Sequence, residues 1–582
     1  MINITKKLYS LLNKKQKKQT LFFLFLLFFS TIFEGLSVAL VFPLIKVVID
    51  EGFLAIIEEK ISFIEISNLG YENVVFLCLI LMVTAYLLKS VYLIFFSWWK
   101  SNFILRINNE ISGRLFKKYI YSSYTYFFNK NSSEFIRNIY SESRYINQAI
   151  DALFKLIIEV FSILIILIVL LYIEFVSTFI LFVIFTIFFL LFNMISSKKI
   201  KLWGFLKQHY VAKIFKNMQQ SFGSIKEIIL RGNQKFFSKD FDNLLFNLNE
   251  QARKLMFLSE IPKNMLETIT VLIVSSLIFF YLFYDNNIIN LIPVAGLFGA
   301  AALRIVPGFN RIISCKQVLD ACYPSVKLIH EEFLDVSQKT EDLTEKKKPI
   351  FFKSSIELNK IEYKYPNAKF NVIKSLDLKI KKNDCICIIG NSGSGKTTLV
   401  DIISGLLEPN SGEIFLDGIK TSLNTSSWRK LIGYVTQTVY LTDDSIKNNI
   451  LFGQSDSTQF DKKQFDLAIK YSQLDELISQ LQDGVDFNVG ENGIKLSGGQ
   501  RQRIGIARSL YAKPEILVLD EITSSLDNKT SSSLLESLNK LAGKITMIYI
   551  SHNNQVISNA DIVFEIEKDN NNQIQIKKTL NK

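Results

Sequence analysis

Cysteine and charge are both scarce in this chain, with five cysteines among 582 residues and charged side chains held to 21%. Cys78 lies inside an apolar run, Cys315 and Cys322 lie near the end of another, and Cys385 and Cys387 alternate on a strand-like segment. That distribution excludes a disulfide scaffold. Cys385-Ile-Cys387 also lacks the second ligand pair of a zinc site, so both thiols are read as core packing. Charge is too sparse, and aromatics at 13% with 49 Phe too many, for a disordered or fibrous chain. A mean hydropathy of +0.23 is rare in a soluble enzyme. The length leaves room for two to four domains.

What the chain has instead is long apolar runs, all in its first half, near 20–48, 74–99, 153–173, 176–195, 264–284 and 289–312. Each meets or approaches the ~20 residues that a bilayer core requires. Leu21–Ser30 carries no polar stripe, unlike a buried soluble helix. The first run is too long for a signal peptide and has no small-residue cleavage site. The expectation is an all-α membrane domain over 1–330 with six spans. The basic residues orient it. Lys6, Lys7, Lys14, Lys15, Lys17 and Lys18 precede the first span, and the segments 100–150 and 196–263 are basic, whereas 50–73 is acidic and 285–291 has no basic residue. The termini and the two long loops are therefore expected on the cytoplasmic side of a bacterial inner membrane. Much of the net +13 reflects this bias, so no nucleic-acid partner is expected. In the external segment, Phe53, Ile57, Ile61 and Ile64 recur at helical spacing, which predicts a short amphipathic helix over Phe53–Ile66.

Composition changes near residue 331. A charged linker over 331–350 leads to an α/β domain over 351–582, where strand-like CICIIG, ILVLDE and ITMIYISH alternate with helical stretches. Gly390-Asn391-Ser392-Gly393-Ser394-Gly395-Lys396-Thr397 fits the P-loop pattern. It follows an apolar strand and opens a helix, Thr397-Thr398-LVDIISGLL. Glycines let backbone N–H groups surround a phosphate at a helix N-terminus. Lys396 adds a point charge, and Thr397 offers a hydroxyl to Mg²⁺. Further on stand Leu496-Ser497-Gly498-Gly499-Gln500 before a basic helix, and Ile516-Leu-Val-Leu-Asp520-Glu521, a strand ending in two carboxylates.

With these motifs the chain resembles the ATP-binding cassette superfamily, and the remaining family motifs follow in order. The resemblance implies ATP and Mg²⁺ as cofactors and the following roles. Tyr365 stacks on adenine, Gln437 is the Q-loop glutamine, Val489-Gly490-Glu491 precedes the signature, Asp527 closes the D-loop, and His552 is the switch histidine. Thr397, Gln437 and Asp520 would hold Mg²⁺. Glu521 would deprotonate the attacking water, and His552 would bond the γ-phosphate. Ser497 to Gly499 would present N–H groups to a phosphate held by the opposite subunit, so one complete motif set per chain implies a homodimer. Ser551-His552-Asn553 departs from the family's usual Ala-His-Arg, and DEITSSLD departs from DEATSALD.

The order of domains resembles the exporter type, in which cytoplasmic loop helices engage the cassettes; segments around 110–120 and 212–224 are the candidates. Phe33-Glu34-Gly35…Pro43, Ile261-Pro262-Lys263 at the opening of the fifth span, and Arg304-Ile-Val-Pro307-Gly-Phe-Asn310-Arg311 resemble the bacterial flippases of lipid-linked oligosaccharides. That resemblance implies a membrane-lipid substrate of polyprenyl-diphosphate type. Export of another lipid, a peptide or a drug is the alternative within transporters, and an ATP-gated channel or regulator is the alternative beyond them. Arg304 and Arg311 are seven residues apart, hence on one helix face. Pairing of Lys263 with Glu267 and of Lys89 with Glu34 would leave the two arginines to bind the diphosphate, with Glu159 their only other candidate partner. Lys89 and Lys263 are weaker candidates for the same role.

Overall fold

The computed structural model describes residues 2–40, 47, 71–173, 175–284, 288–336, 350–366, 368–453, 460–568 and 574–580. Pro43, the expected external helix Phe53–Ile66 and most of the expected linker lie outside them. The chain forms two units, Met1–Ser122 with Lys130–Thr340, and Ser123–Asn129 with Glu341–Lys582.

The first unit is helical: α1 (Ile2–Leu11), α2 (Lys14–Ala39), α3 (Tyr71–Ile120), α4 (Ser143–Ile173), α5 (Phe175–Gly223), α6 (Ile225–Leu230), α7 (Gln234–Tyr284) and α8 (Ile288–Val336). Each of the six apolar runs lies wholly or largely in one of these helices, which satisfies the backbone where no water can. Among the described residues, Lys14–Leu36, Glu72–Ile120, Ser132–Tyr172 and Thr178–Gly223 are long and apolar enough to cross a bilayer; the fifth and sixth runs lie in α7 and α8.

The basic segments 100–150 and 196–263, read as loops, are mostly continuations of these helices. Lys, Arg, Glu and Gln favour helix, so the helices continue as polarity rises and break only near 121–131, 224 and 231–233. The 50 residues of α3 extend over about 75 Å, more than twice the ~30 Å hydrocarbon core. The candidate engagement segment at 110–120 forms the last turns of α3. A short 3₁₀ helix follows it, Tyr124–Asn129, and Ser123–Asn129 belongs to the second unit. The other candidate, 212–224, forms the last turns of α5 before α6. Pro262, just ahead of the fifth apolar run, is buried inside the continuous helix α7.

Helices of the first unit approach closely at glycines, Gly35 and Gly308 among them. A Cβ at Gly35 would lie 2.2 Å from Ile165 Cγ2, so α2 meets α4 there without a side chain between them. At Gly308 a Cβ would lie 3.0 Å from Ile163 Cδ1 and 3.3 Å from Glu159 Oε2, which brings α8 against α4.

The second unit contains β1 (Ser355–Tyr363), β2 (Ile373–Lys381), β3 (Cys385–Gly390), α9 (Lys396–Ile403), β4 (Ser411–Leu416), β5 (Ile419–Lys420), β6 (Ile432–Val435), α10 (Gly498–Tyr511), β7 (Ile516–Asp520), α11 (Asn528–Asn539), β8 (Thr546–Ile550), α12 (Asn554–Asn559), β9 (Ile562–Lys568) and β10 (Ile574–Leu580). One antiparallel sheet runs β2-β1-β4-β5 and the main sheet β10-β9-β3-β8-β7-β6. In the main sheet all pairs are parallel except β9 with β10. The period-2 pleat of β3 divides its side chains between two cores: Ile386 and Ile388 face the cluster shared with the antiparallel sheet, and Cys385 and Cys387 face the other. Neither thiol forms a disulfide among the described residues and both are buried, and burial pushes Cys387 up to about 12.

Gly35→Val should overpack the α2–α4 contact and destabilise the membrane unit by about 1–3 kcal/mol. Thermal unfolding in detergent should show a lowered midpoint, restored in part by Ile165→Ala. An unchanged midpoint in the single variant would show that the helices do not close on Gly35.

Candidate nucleotide site and intramembrane charges

The strands β3, β8, β7 and β6 are neighbours, and the segments after their carboxyl ends gather the expected nucleotide residues. The P-loop follows β3, Asp520 and Glu521 end β7, Ser551-His552 follows β8, and Gln437 follows β6. Parallel register aligns these ends, with Asp520 opposite Ile550 and Gly390 opposite Ile566.

The phosphate loop is built by backbone conformations that only glycine adopts easily. Gly390, Gly393 and Gly395 have φ of +148°, +77° and +99°, and a Cβ at Gly390 would lie 2.3 Å from the Ile566 carbonyl oxygen. Lys396 is buried at the first turn of α9. Its Nζ donates to the carbonyls of Gly390 at 2.5 Å and Asn391 at 3.0 Å, so the cation is stationed at the loop. Asn391, Ser392, Gly393 and Thr397 are exposed, whereas Ser394 and Thr398 are buried. Ser394 Oγ is buried with no hydrogen-bond partner, an orphan in the middle of a phosphate cradle. Thr398 shares a 3.0 Å hydrogen bond with the Tyr365 hydroxyl. The Tyr365 ring is held edge-to-face by Tyr363 at 5.1 Å and by Phe128 at 5.4 Å.

The two carboxylates at the end of β7 differ in environment. Burial and then the neighbouring Glu521 charge push Asp520 up to about 6, with Lys396 pulling the other way. Glu521 is half-buried and has φ +46°, a left-handed conformation that is strained for a non-glycine residue. It is held there by its N–H donating to Ile550 O at 2.9 Å, and Ser524 Oγ donates to its carbonyl at 2.9 Å. Gln437 Nε2 donates to Glu521 Oε2 at 2.7 Å, so the two residues expected around the attacking water already touch.

No cluster of three His, Cys, Asp or Glu able to hold a metal occurs among the described residues. A Mg²⁺ here would take most of its oxygens from phosphate and water, with Thr397, Gln437 and Asp520 contributing, which suits the ion's preference. The orphan Ser394 hydroxyl and the desolvated Asp520 fit such a guest. When bound, the ion would neutralise developing phosphate charge.

The signature and the D-loop are locked together. Ser497 caps α10 in a reciprocal capping box with Gln500, which leaves its hydroxyl proton available to a ligand. Ser497 is exposed and Gly499 is buried. A Cβ at Gly499 would lie 2.4 Å from Leu526 Cδ2, and one at Gly498 would lie 3.2 Å from Ser525 Cβ. Asp527 caps α11, accepting from Thr530 N at 3.0 Å, and hydrogen bonds to Thr530 hold its carboxyl low. His552 is exposed, and the departing residue Asn553 caps α12 through Gln555 N at 2.8 Å.

Sequence reasoning overlooked Asp401. It is buried on α9, accepts from the Tyr434 hydroxyl at 3.3 Å and is pushed up to about 6, chiefly by burial, with Asp520 adding to it. An aspartate inside the apolar helix TTLVDII was the available signal.

The intramembrane charges pair differently from expectation. Arg304 Nη2 donates to Glu34. Arg311 grips Glu159 bidentately, with Nε to Oε1 at 2.5 Å and Nη2 to Oε2 at 3.0 Å. Both arginines therefore have carboxylate partners. Glu34 pairs with the Arg304 guanidinium, and Lys89 stands within electrostatic reach of both and 5.2 Å from the Tyr86 ring centroid. Lys263 is exposed and makes no ion pair with Glu267 within 4 Å among the described residues. The reason is rotational: α8 turns its arginine face toward α2 and α4.

A phosphate cradle beside paired carboxylates on one sheet edge serves hydrolysis of a nucleoside triphosphate. Joined in one chain to a helical membrane unit, it defines an ATP-driven membrane transporter. Residues 21–287 match the family described as the ABC transporter transmembrane region, and residues 373–524 match the family described as ABC transporter. The chain belongs to the ABC transporters, a half-transporter of the exporter arrangement, whose ATPase uses ATP and Mg²⁺. It is 26% identical over 498 residues to the ATP-dependent lipid A-core flippase of Aliivibrio fischeri, covering 81% of this chain and 80% of the relative. It is 30% identical over 375 residues to the protein of that name from Francisella tularensis SCHU S4, spanning 63% of this chain and 60% of the relative's length. The fold is that of a bacterial Atm1-family ABC exporter solved with ATP bound, with a TM-score of 0.76 at 16% identity over 97% of this chain and 95% of that one.

Glu521→Gln keeps the hydrogen bond to Gln437 feasible but removes the base. ATP should still bind, while steady-state hydrolysis falls by about 10²–10⁴-fold. Hydrolysis near the wild-type rate would assign the base to another carboxylate.

Proposed function

We propose that the chain is an ATP-driven flippase acting as a homodimer in the bacterial inner membrane, with cassettes and termini cytoplasmic. Its substrate is a lipid with a phosphorylated saccharide head group, of the polyprenyl-diphosphate oligosaccharide type. The observation that carries this reading is the pair of arginines on one face of α8, each held by a carboxylate inside apolar helices. Charges at such depth cost at least roughly 2.5–3.5 kcal/mol each near mid-bilayer and are kept for a cavity or a ligand. Side chains of Arg304 and Arg311 remain 30% and 40% exposed despite their partners, so a phosphate can reach them. A planar guanidinium can engage phosphate oxygens as it engages Glu159. Lys89, beside the Arg304–Glu34 pair, and Lys263 would add weaker attraction. Relatives named lipid A-core flippases support lipid movement.

The homodimer rests on the exposed signature serine and on the tip around α6. There Phe222, Leu230 and Phe236 are 73%, 76% and 70% exposed, an apolar knob that needs a protein partner. A second cassette would also complete the nucleotide site from outside.

Arg304→Gln and Arg311→Gln, made separately, should lose most transfer of a labelled polyprenyl-diphosphate glycolipid in proteoliposomes while keeping basal ATPase. Normal transfer in both variants would reject the site. ATP-dependent ion current in place of lipid transfer would favour the channel reading.

A further inference from the structure

A cavity of about 360 Å³ opens beside α1 and the start of α2. Leu24, Phe154 and Ile157 give it apolar walls, and Lys6, Tyr9 and Thr20 stand where α1 meets α2. Ile157 and Glu159 are two residues apart on α4, about 200° around the helix. The cavity and the Glu159–Arg311 pair therefore lie on opposite faces, and the cavity is no part of the arginine site.

Its frame is fixed. In the ten-residue α1, Ile4, Leu8 and Leu11 are buried, while Lys6 and Tyr9 are exposed. This is the pattern of a helix lying in a membrane interface. Arg114 Nη1 donates to the Leu11 carbonyl at 2.8 Å, and Gln16 Nε2 donates to Glu110 Oε2 at 2.9 Å. These bonds tie the α1–α2 elbow to α3. Lys17 Nζ lies 4.7 Å from the centre of the Tyr9 ring, and Lys14, Lys15 and Lys18 are exposed around it. The apolar run starts at Leu21, so this ring of lysines sits at head-group level and the cavity leads from it toward hydrocarbon. Leu24 is 44% exposed, which leaves the wall open to the bilayer.

We infer that this cavity holds one acyl chain of an anionic phospholipid of the cytoplasmic leaflet, with its phosphate between Lys6 and Lys17. Charge complementarity selects the occupant: a lysine at a membrane surface attracts an anionic lipid about fivefold, and the walls accept only hydrocarbon. The inference rests on the proposed orientation, and not on the identity of the transported lipid.

The test uses the full chain in detergent, titrated with palmitoyl-oleoyl phosphatidylglycerol or with phosphatidylcholine of the same chains, with bound lipid counted by native mass spectrometry. One phosphatidylglycerol per chain should be retained ahead of phosphatidylcholine. Lys6→Gln and Lys17→Gln should each lower phosphatidylglycerol retention about fivefold and leave phosphatidylcholine unchanged. Ile157→Trp fills the cavity and should abolish retention, with gel filtration and basal ATPase as the check that it folds. The surface lysine variants carry the test if it does not fold. Equal retention of the two lipids, or unaltered retention in both lysine variants, would overturn the assignment. Stoichiometric displacement by a polyprenyl diphosphate would also overturn it, by making the cavity a station of the transported lipid. Failure of the arginine variants to affect flipping would leave this result untouched, so the two readings fail separately.

Discussion

Charge in hydrocarbon is the constraint around which the membrane unit is organised. On its apolar helices Glu34 pairs with Arg304 and Glu159 with Arg311, each across a close helix approach. Gly308 lets α8 come against α4 beside Glu159, and Gly35 lets α2 come against α4 beside Glu34. A side chain at Gly308 would press on Glu159 itself, and an opened pair would leave each charge with its own desolvation cost. The same geometry leaves the arginines partly exposed, so neutralisation within the unit does not preclude a ligand anion. Carboxylate and phosphate are interchangeable partners for a planar fork of donors.

The nucleotide unit meets a different constraint, placing flexible polar groups at one edge of a sheet. Parallel register of β3, β8, β7 and β6 aligns the strand ends. Left-handed conformations at Gly390, Gly393, Gly395 and Glu521 then turn the chain sharply. The strain at Glu521 is offset by its N–H bond to Ile550 O, and its carboxylate is aimed by Gln437. Gly499 has a role beyond presenting an N–H group: its missing side chain lets the D-loop residue Leu526 pack under the signature helix. Signature and D-loop are therefore in direct contact.

Much of this was legible in the sequence because the signals are local. The P-loop, the strand ending in Asp520-Glu521, the signature at Ser497–Gln500 and the apolar runs each depend on a few neighbouring residues, and the structure places them on the expected elements. What was not legible depends on rotation and on continuity. The partner of Glu34 is decided by which way α2, α3 and α8 turn, and mid-span depth alone could not separate Arg304 from Lys89. The basic segments were read as loops because polarity rises there, although helix propensity does not fall. Asn553 looked like a departure from its family and proves to be a helix cap, a role that residue type alone does not reveal.

The central claim is that the membrane unit reads phosphate charge through Arg304 and Arg311. The most direct measurement compares ATP-dependent transbilayer transfer, by the full chain in proteoliposomes, of a glycosylated polyprenyl diphosphate and of an uncharged glycolipid with the same tail and sugar. Transfer of the diphosphate with no transfer of the uncharged lipid is the expected result. Equal rates for the two lipids would contradict recognition by the arginine pair.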